Sequence, residues 1–227
     1  MQIARLDGVT KRYGRTEGVR ELDLDVGGGE VIGLLGLNGS GKTTLLKLLA
    51  GLLFPTSGSV RVLERPARAA RADVVYLGEG DALWGWMTPR DAERLFAGLY
   101  VDFDAGRFGR LCESLAVPRR TARAMSKGER GRLRLAMALS RSARLYLLDE
   151  PLAGIDLLSR ERILRSIVQE WHGDETILLS THEVAEAEGL FERVLYMKEG
   201  RVVLDAQAEE LRERGRSVVE TFREVLS

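Results

Sequence analysis

The nine residues Gly36-Leu37-Asn38-Gly39-Ser40-Gly41-Lys42-Thr43-Thr44 place three glycines, one lysine and three hydroxyls in one short stretch. Glycines let backbone N–H groups turn inward around an anion with no Cβ in the way. The spacing is G-x-x-x-x-G-K-[ST], which carries meaning only between a strand and a helix. The apolar run Val31–Leu35 and the run Leu45–Leu53 supply both flanks. A helix N-terminus at this point adds partial positive charge. Lys42 is placed to reach β- and γ-phosphates, and the Thr43 hydroxyl to ligate Mg²⁺. A glycine-rich turn matching by chance is the alternative, and the strand–loop–helix setting weighs against it. The spacing predicts a nucleoside triphosphate site.

A second group lies far downstream, in Leu145-Tyr146-Leu147-Leu148-Asp149-Glu150-Pro151. It reads as a buried strand ending in two carboxylates, and ligands of α/β sheets bind at the C-terminal ends of parallel strands. Asp149 suits a place in the shell of Mg²⁺, and Glu150 suits a base that polarises water for attack on a γ-phosphate. Paired acids can also cap the next helix; the phosphate loop upstream favours the chemical reading.

Such groups need a sheet to hold them. Val31–Leu35, Val74–Leu77, Leu145–Leu148 and Thr176–Leu179 read as buried parallel strands separated by helices, an α/β pattern. Leu22, Leu24 and Val26 alternate with Asp23 and Asp25 and, with Ile3–Leu6 and Val60–Val62, predict a small antiparallel sheet. From Asp81 to Ser142 the pattern is helical. Thr88-Pro89-Arg90-Asp91 opens one helix with a stripe of Ala92, Leu95, Phe96 and Leu99. Ser126-Lys127-Gly128-Glu129 opens another through Leu133, Ala136, Met137 and Leu139. After Asp156, Leu164, Ile167, Val168 and Trp171 share a helical face. Val194–Met197 and Val202–Leu204 read as a hairpin, and a closing helix carries Leu211, Val218, Phe222 and Val225. The expected fold is an α/β P-loop NTPase core with a parallel sheet, a small antiparallel β subdomain and an inserted helical lobe. It forms a single domain over 1–227, the core at about 1–80 and 143–227 and the lobe at about 81–142.

Composition narrows the function. The 227 residues are 44% hydrophobic, enough for a core, and carry 34 basic against 34 acidic side chains. A zero net charge removes the bulk electrostatic case for a nucleic-acid partner, and none is expected. Cys112 is the lone cysteine, which excludes an internal disulfide and makes a reducing cytosol the simplest compartment. The first residues lack an apolar signal core. The run Leu45–Phe54 contains Lys47 and is about half a membrane span. The chain is not expected to cross a bilayer by itself.

Phosphate loop, helical lobe, the serine motif Met125-Ser126-Lys127-Gly128-Glu129 and the strand with paired acids follow one another in this order. In that order, over nearly the whole chain, the sequence resembles the nucleotide-binding subunits of ATP-binding cassette (ABC) transporters, whose signature reads Leu-Ser-Gly-Gly-Gln. The resemblance implies ATP and Mg²⁺, with Gly36, Asn38, Gly39, Ser40, Gly41, Lys42, Thr43 and Thr44 around the phosphates. It implies a metal set of Thr43, Asp149 and Glu79, and catalysis by Glu150, His182 and Lys42. Tyr13 matches the aromatic that stacks on adenine; without the match it is as well an ordinary edge-strand tyrosine. His182, in Leu179-Ser180-Thr181-His182-Glu183, matches the switch histidine at the γ-phosphate. Asp156 matches a loop coupling two subunits and equally suits a helix cap. His172 matches nothing and is expected at the surface.

In the family the signature of one subunit closes over ATP held by another. Ser126 at a helix N-terminus supplies a physical reason, since free N–H groups and the helix dipole attract an anion. The implied partners are a second ABC subunit, in a homodimer or heterodimer, and separate transmembrane permease subunits. The implied location is cytoplasmic, peripheral on the inner face of the cell membrane.

Departures from the pattern are specific. Glu79 stands where the Q-loop glutamine is usual and adds repulsion toward phosphates. Lys127 replaces the first signature glycine; its side chain either adds charge near a partner's phosphate or points into solvent. Glu129 for Gln is mild, because a capping box accepts either. Ala153 and Leu157 replace a usual Ser or Thr and a frequent Pro. Lys42, Asp149, Glu150 and His182 all remain, so hydrolysis is expected. Glu79 and Lys127 resemble a bacterial branch serving exporter-type membrane subunits, including cassettes encoded beside GntR-type regulators, which implies export. Trp84, Trp86 and Met87 either form a coupling surface or fill the lobe's core. Two other readings are a soluble cassette acting on ribosomes or DNA and a weakly hydrolysing regulatory module. A single cassette with zero net charge and no long coiled-coil insertion argues against the first, and the intact catalytic set against the second.

Overall fold

A computed structural model describes residues 2–78, 80, 83–171 and 173–226. Glu79 and His172 lie outside the described residues. The elements in chain order are β1 (Gln2–Tyr13), β2 (Thr16–Gly27), β3 (Val31–Leu35), α1 (Lys42–Leu49), β4 (Ser57–Val62), β5 (Arg65–Pro66) and β6 (Val74–Leu77). There follow α2 (Pro89–Leu99), α3 (Ala105–Ser114), α4 (Lys127–Leu139), β7 (Leu145–Asp149), α5 (Leu157–Glu170) and β8 (Thr176–Thr181). The chain ends with α6 (Val184–Ala187), β9 (Arg193–Lys198), β10 (Arg201–Gln207), α7 (Ala208–Glu213) and α8 (Val218–Leu226). Among the described residues no helix is long and apolar enough to cross a membrane.

The chain forms two compact units. The first, Met1–Gly78, Ala143–Glu150 and Gly173–Ser227, holds two sheets. One is six-stranded, in the order β10-β9-β3-β8-β7-β6, with β3 parallel to β8 and β9, and β7 parallel to β6 and β8. β3 and β7 are buried along their length and apolar but for the Asp149 that ends β7, as strands covered on both faces tend to be. The other is antiparallel, in the order β2-β1-β4-β5. Here the alternation of β2 does what its sequence requires: Leu22, Leu24 and Val26 go inward while Asp23 and Asp25 stay out. β1 and β2 run 12 residues each, well beyond the segments that alternation alone marks. α1 touches β2, β4 and β7 and so lies between the sheets, where Leu45, Leu46, Leu48 and Leu49 are all fully buried. A helix with so little polar surface belongs in a core.

The second unit, Glu79–Ser142 and Pro151–His172, is helical. Both expected capping boxes form, Thr88 with Asp91 on α2 and Ser126 with Glu129 on α4. The structure differs from the sequence reading in three places. Pro151–His172 groups with the helices, whereas the sequence places it in the core; the chain leaves the sheet after β7, and α5 packs against α3 and α4. The buried face of α5 is Ser159, Ile163, Ser166 and Ile167, with Val168 left exposed. Small serines let the neighbouring helices approach, as Ser114 Oγ and Ser166 Oγ do at 3.1 Å, and this turns the helix off the stripe of larger side chains. On α2, Leu99 is likewise exposed.

Candidate functional site

The register of the parallel sheet brings three strand ends level. Leu35 pairs with Thr181, and Asp149 pairs with Ser180, so β3, β8 and β7 finish side by side. Beyond β3 the chain turns through Gly36–Gly41 into α1. Gly41 has φ +108, and a β-carbon there would fall 2.1 Å from the Gly18 carbonyl oxygen. At Gly36 it would meet the Met197 carbonyl oxygen and Ser40 Oγ, both at 2.5 Å. Only glycine fits either place. The β9–β10 turn pins the loop from outside, Gly200 N donating to the Ser40 carbonyl at 2.9 Å. Ser40 Oγ is buried with no hydrogen-bond partner.

Lys42, the first residue of α1, is 6% exposed. Its Nζ donates to the carbonyls of Gly36 at 2.8 Å and Leu37 at 3.3 Å. It also stands 3.3 Å from Glu150 Oε1, at ion-pair distance. Glu150 is held at φ +48, a sparsely populated backbone region for a residue other than glycine, and one that recurs at functional sites. Its other oxygen, Oε2, is 2.9 Å from His182 Nδ1. Thr43 Oγ1 donates to Asp149 Oδ1 at 3.1 Å. Lys42, Thr43, Asp149, Glu150 and His182 therefore converge on the three strand ends.

Two residues unmarked in the sequence complete the group. Ser180 Oγ donates to Asp149 Oδ1 at 2.8 Å and accepts from Glu150 N at 3.0 Å. Tyr76 OH donates to Asp149 Oδ2 at 3.1 Å. The one available signal is a hydroxyl late in one apolar run and just after another; neither has a spacing of its own. Tyr13 ends β1, half exposed beneath Lys11, whose Nζ lies 5.4 Å from the ring centroid. A β-carbon at Gly18 would meet both Tyr13 Cε2, at 3.0 Å, and Thr44 Oγ1, at 2.7 Å, so the ring flanks the start of α1. Leu37, Asn38 and Gly39 form the exposed crest of the loop.

Ser126, Lys127, Gly128 and Glu129 belong to the helical unit. Ser126 Oγ accepts from Glu129 N at 3.2 Å, and Glu129 Oε2 accepts from Ser126 N at 2.7 Å. The Ser126 N–H, followed by Arg120, holds the Glu129 carboxyl below its usual range. Asp156 caps α5, accepting from Ser159 N at 3.0 Å, and the Ser159 side chain first among its neighbours lowers its titration. Lys127 is exposed, and the end of its side chain lies across Gly154. Trp84 and Trp86 are 56% and 61% exposed and stack with ring centroids 5.7 Å apart.

A glycine-rich loop, a buried lysine and a carboxylate–hydroxyl pair are suited to a triphosphate and a hard cation. Mg²⁺ is commonly held by one or two carboxylates together with substrate phosphates, and Asp149 with Thr43 fits that donor set. Among the described residues no cluster of three His, Cys, Asp or Glu side chains offers a dedicated metal cage.

The ABC transporter sequence family matches residues 19–153. The chain is 36% identical over 206 residues to the aliphatic sulfonates import ATP-binding protein SsuB of Escherichia coli (strain K12), covering 88% of this chain and 79% of that protein. It is also 36% identical over 217 residues to the daunorubicin resistance ATP-binding protein DrrA3 of Streptomyces coeruleorubidus, covering 91% and 69%. A solved structure described as the ATP binding subunit of an ABC transporter superposes with TM-score 0.85 at 25% identity, over 98% of this chain and 99% of that one. The dimeric post-hydrolysis state of the cassette MJ0796, bound to ADP and Pi, shares the fold with TM-score 0.79 at 22% identity, over 90% and 98%. Several relatives are named for import, and these names do not support the exporter-type branch expected from Glu79 and Lys127.

Proposed function

The chain belongs to the ABC transporter family and is an ATP-binding, ATP-hydrolysing cassette; from that premise we propose that it works as one half of a dimer that closes around ATP and drives separate membrane subunits from the cytoplasmic face. The convergence of Lys42, Thr43, Asp149, Glu150 and His182 at three level strand ends is the observation that supports this reading. Lys42 and the loop N–H groups bind the phosphates, with Lys42 exchanging carbonyl partners for phosphate oxygens. Tyr13 stacks on the adenine. Thr43 and Asp149 would hold Mg²⁺, which supplies charge neutralisation at the phosphates. Glu150 Oε2 takes the proton of the attacking water, and His182, hydrogen-bonded to it, orients the carboxylate and faces the γ-phosphate. Ser126 and the exposed first turn of α4 contact the phosphate held by the partner subunit. Loss of that phosphate on hydrolysis lets the dimer open.

Steady-state ATP hydrolysis by wild type and Glu150→Gln, read over a range of chain concentrations, tests the reading. Removing the base should lower kcat at least about a hundredfold while ATP binding persists. The wild-type rate per chain should fall on dilution. Equal rates for the two proteins would remove Glu150 from the role of base, and a rate indifferent to dilution would remove the dimer.

A further inference from the structure

Gly131 stands inside α4, where glycine forms helix less readily than alanine. A local choice against propensity calls for a reason, and Ile155 provides one. A β-carbon at Gly131 would lie 3.2 Å from Ile155 Cδ1, closer than a comfortable carbon–carbon contact. Ile155 is 6% exposed, so its side chain is enclosed there. The missing side chain is a socket and Ile155 fills it.

The neighbouring residues are fastened to the same helix. The end of the Lys127 side chain crosses Gly154: a β-carbon there would lie 3.0 Å from Nζ and 3.3 Å from Cε, at φ +69. On the other side, Arg132 is buried and its NH1 donates to Ser159 Oγ at 2.5 Å. Ser159 in turn is the residue that Asp156 caps. Gly154, Ile155 and Asp156 are thus each tied, directly or through one side chain, to the first two turns of α4.

We propose that the loop Leu152–Asp156 and the Ser126 end of α4 form one rigid block, with Gly131 and Ile155 as positioning residues that bring loop and signature together to the nucleotide interface. The inference rests on the dimer reading above. It goes further in naming what sets the geometry, a pair of apolar groups that touch neither nucleotide nor reacting atoms.

Four proteins test it: wild type, Gly131→Ala, Ile155→Val and the double variant, each measured for ATPase kinetics and thermal unfolding. Alanine at position 131 improves the helix but presses on Ile155, so the two effects offset and its unfolding midpoint should move by no more than about two degrees. Its kcat should nevertheless drop roughly tenfold, with KM for ATP near the wild-type value, because a small displacement of a positioned group is costly to rate. Ile155→Val removes the methyl that the new β-carbon meets, so the double variant should regain most of the lost kcat. Relief of the same clash would also mend a folding defect, so the unfolding midpoints decide: a lost kcat at a wild-type midpoint marks positioning, whereas a midpoint that falls and recovers in step with kcat overturns the proposal. Gly131→Ala hydrolysing like wild type, or a loss that valine leaves in place, overturns the proposal. Wild-type dilution separates the two readings: a rate per chain that does not fall overturns the dimer and this inference with it, whereas a rate that falls leaves the variants to decide.

Discussion

Asp149 is 1% exposed and meets three hydroxyls, from Thr43, Ser180 and Tyr76. Burying a polar side chain so fully costs free energy unless such donors replace water. Ser180 has the larger share of the work, because its oxygen also accepts from the Glu150 N–H at the strained residue beside it. Ser180→Ala leaves that N–H with the longer contact to the Ser180 carbonyl, 3.2 Å, and takes one donor from Asp149. A loss of about 1–2 kcal/mol in stability is expected from chemical denaturation. Turnover should fall further than stability alone explains, because both acidic groups shift. Unchanged turnover in a folded, slightly destabilised protein would confine Ser180 to a structural role.

α4 begins with a reciprocal cap whose carboxylate is tuned. Glu129 titrates below its ordinary 4.5, held first by the Ser126 N–H and then by Arg120. A depressed carboxylate adds stability above its unfolded pKa, and the gain disappears as pH falls through the lower folded value. Glu129→Gln keeps a capping oxygen without the charge. It should unfold at a lower temperature than wild type at pH 7, and the gap should close on acidification below the usual carboxylate range. A gap constant with pH would mean that charge contributes nothing at this cap. Such local signals were readable from sequence: the two capping boxes, the glycine–lysine loop and the apolar strand runs each depend on residues close in the chain. What sequence could not supply is set by distant packing. The level ends of β3, β7 and β8 come from sheet register. Serines at close helix contacts decide the face of α5, and Ile155 gives Gly131 its purpose. The same holds for Ser180 and Tyr76, whose hydroxyls have meaning only once Asp149 stands between them.

For the molecule as a working subunit, the open question in its sequence was whether Trp84 and Trp86 are core or surface. They are mostly exposed, and their ring planes lie 9° from parallel. The turn carrying them is nonetheless fixed. Met87 is 2% exposed, its N–H donates to the Trp84 carbonyl at 2.9 Å, and its carbonyl accepts from Ala122 N at 2.8 Å. Arg123 N donates to the Gly85 carbonyl between the two indoles at 2.9 Å. A rigid turn presenting two stacked tryptophans to water suits recognition, since such side chains bury much area with little further ordering. Under the function proposed above, the partner they meet is a membrane subunit. Replacing both, Trp84→Ser with Trp86→Ser, removes no core packing, so the unfolding midpoint should stay within about two degrees of wild type. Affinity purification from membranes should then recover the chain without its membrane subunits. A midpoint lowered by many degrees would return the indoles to the packing of the helical unit, and intact co-purification would place the membrane contact elsewhere on the surface.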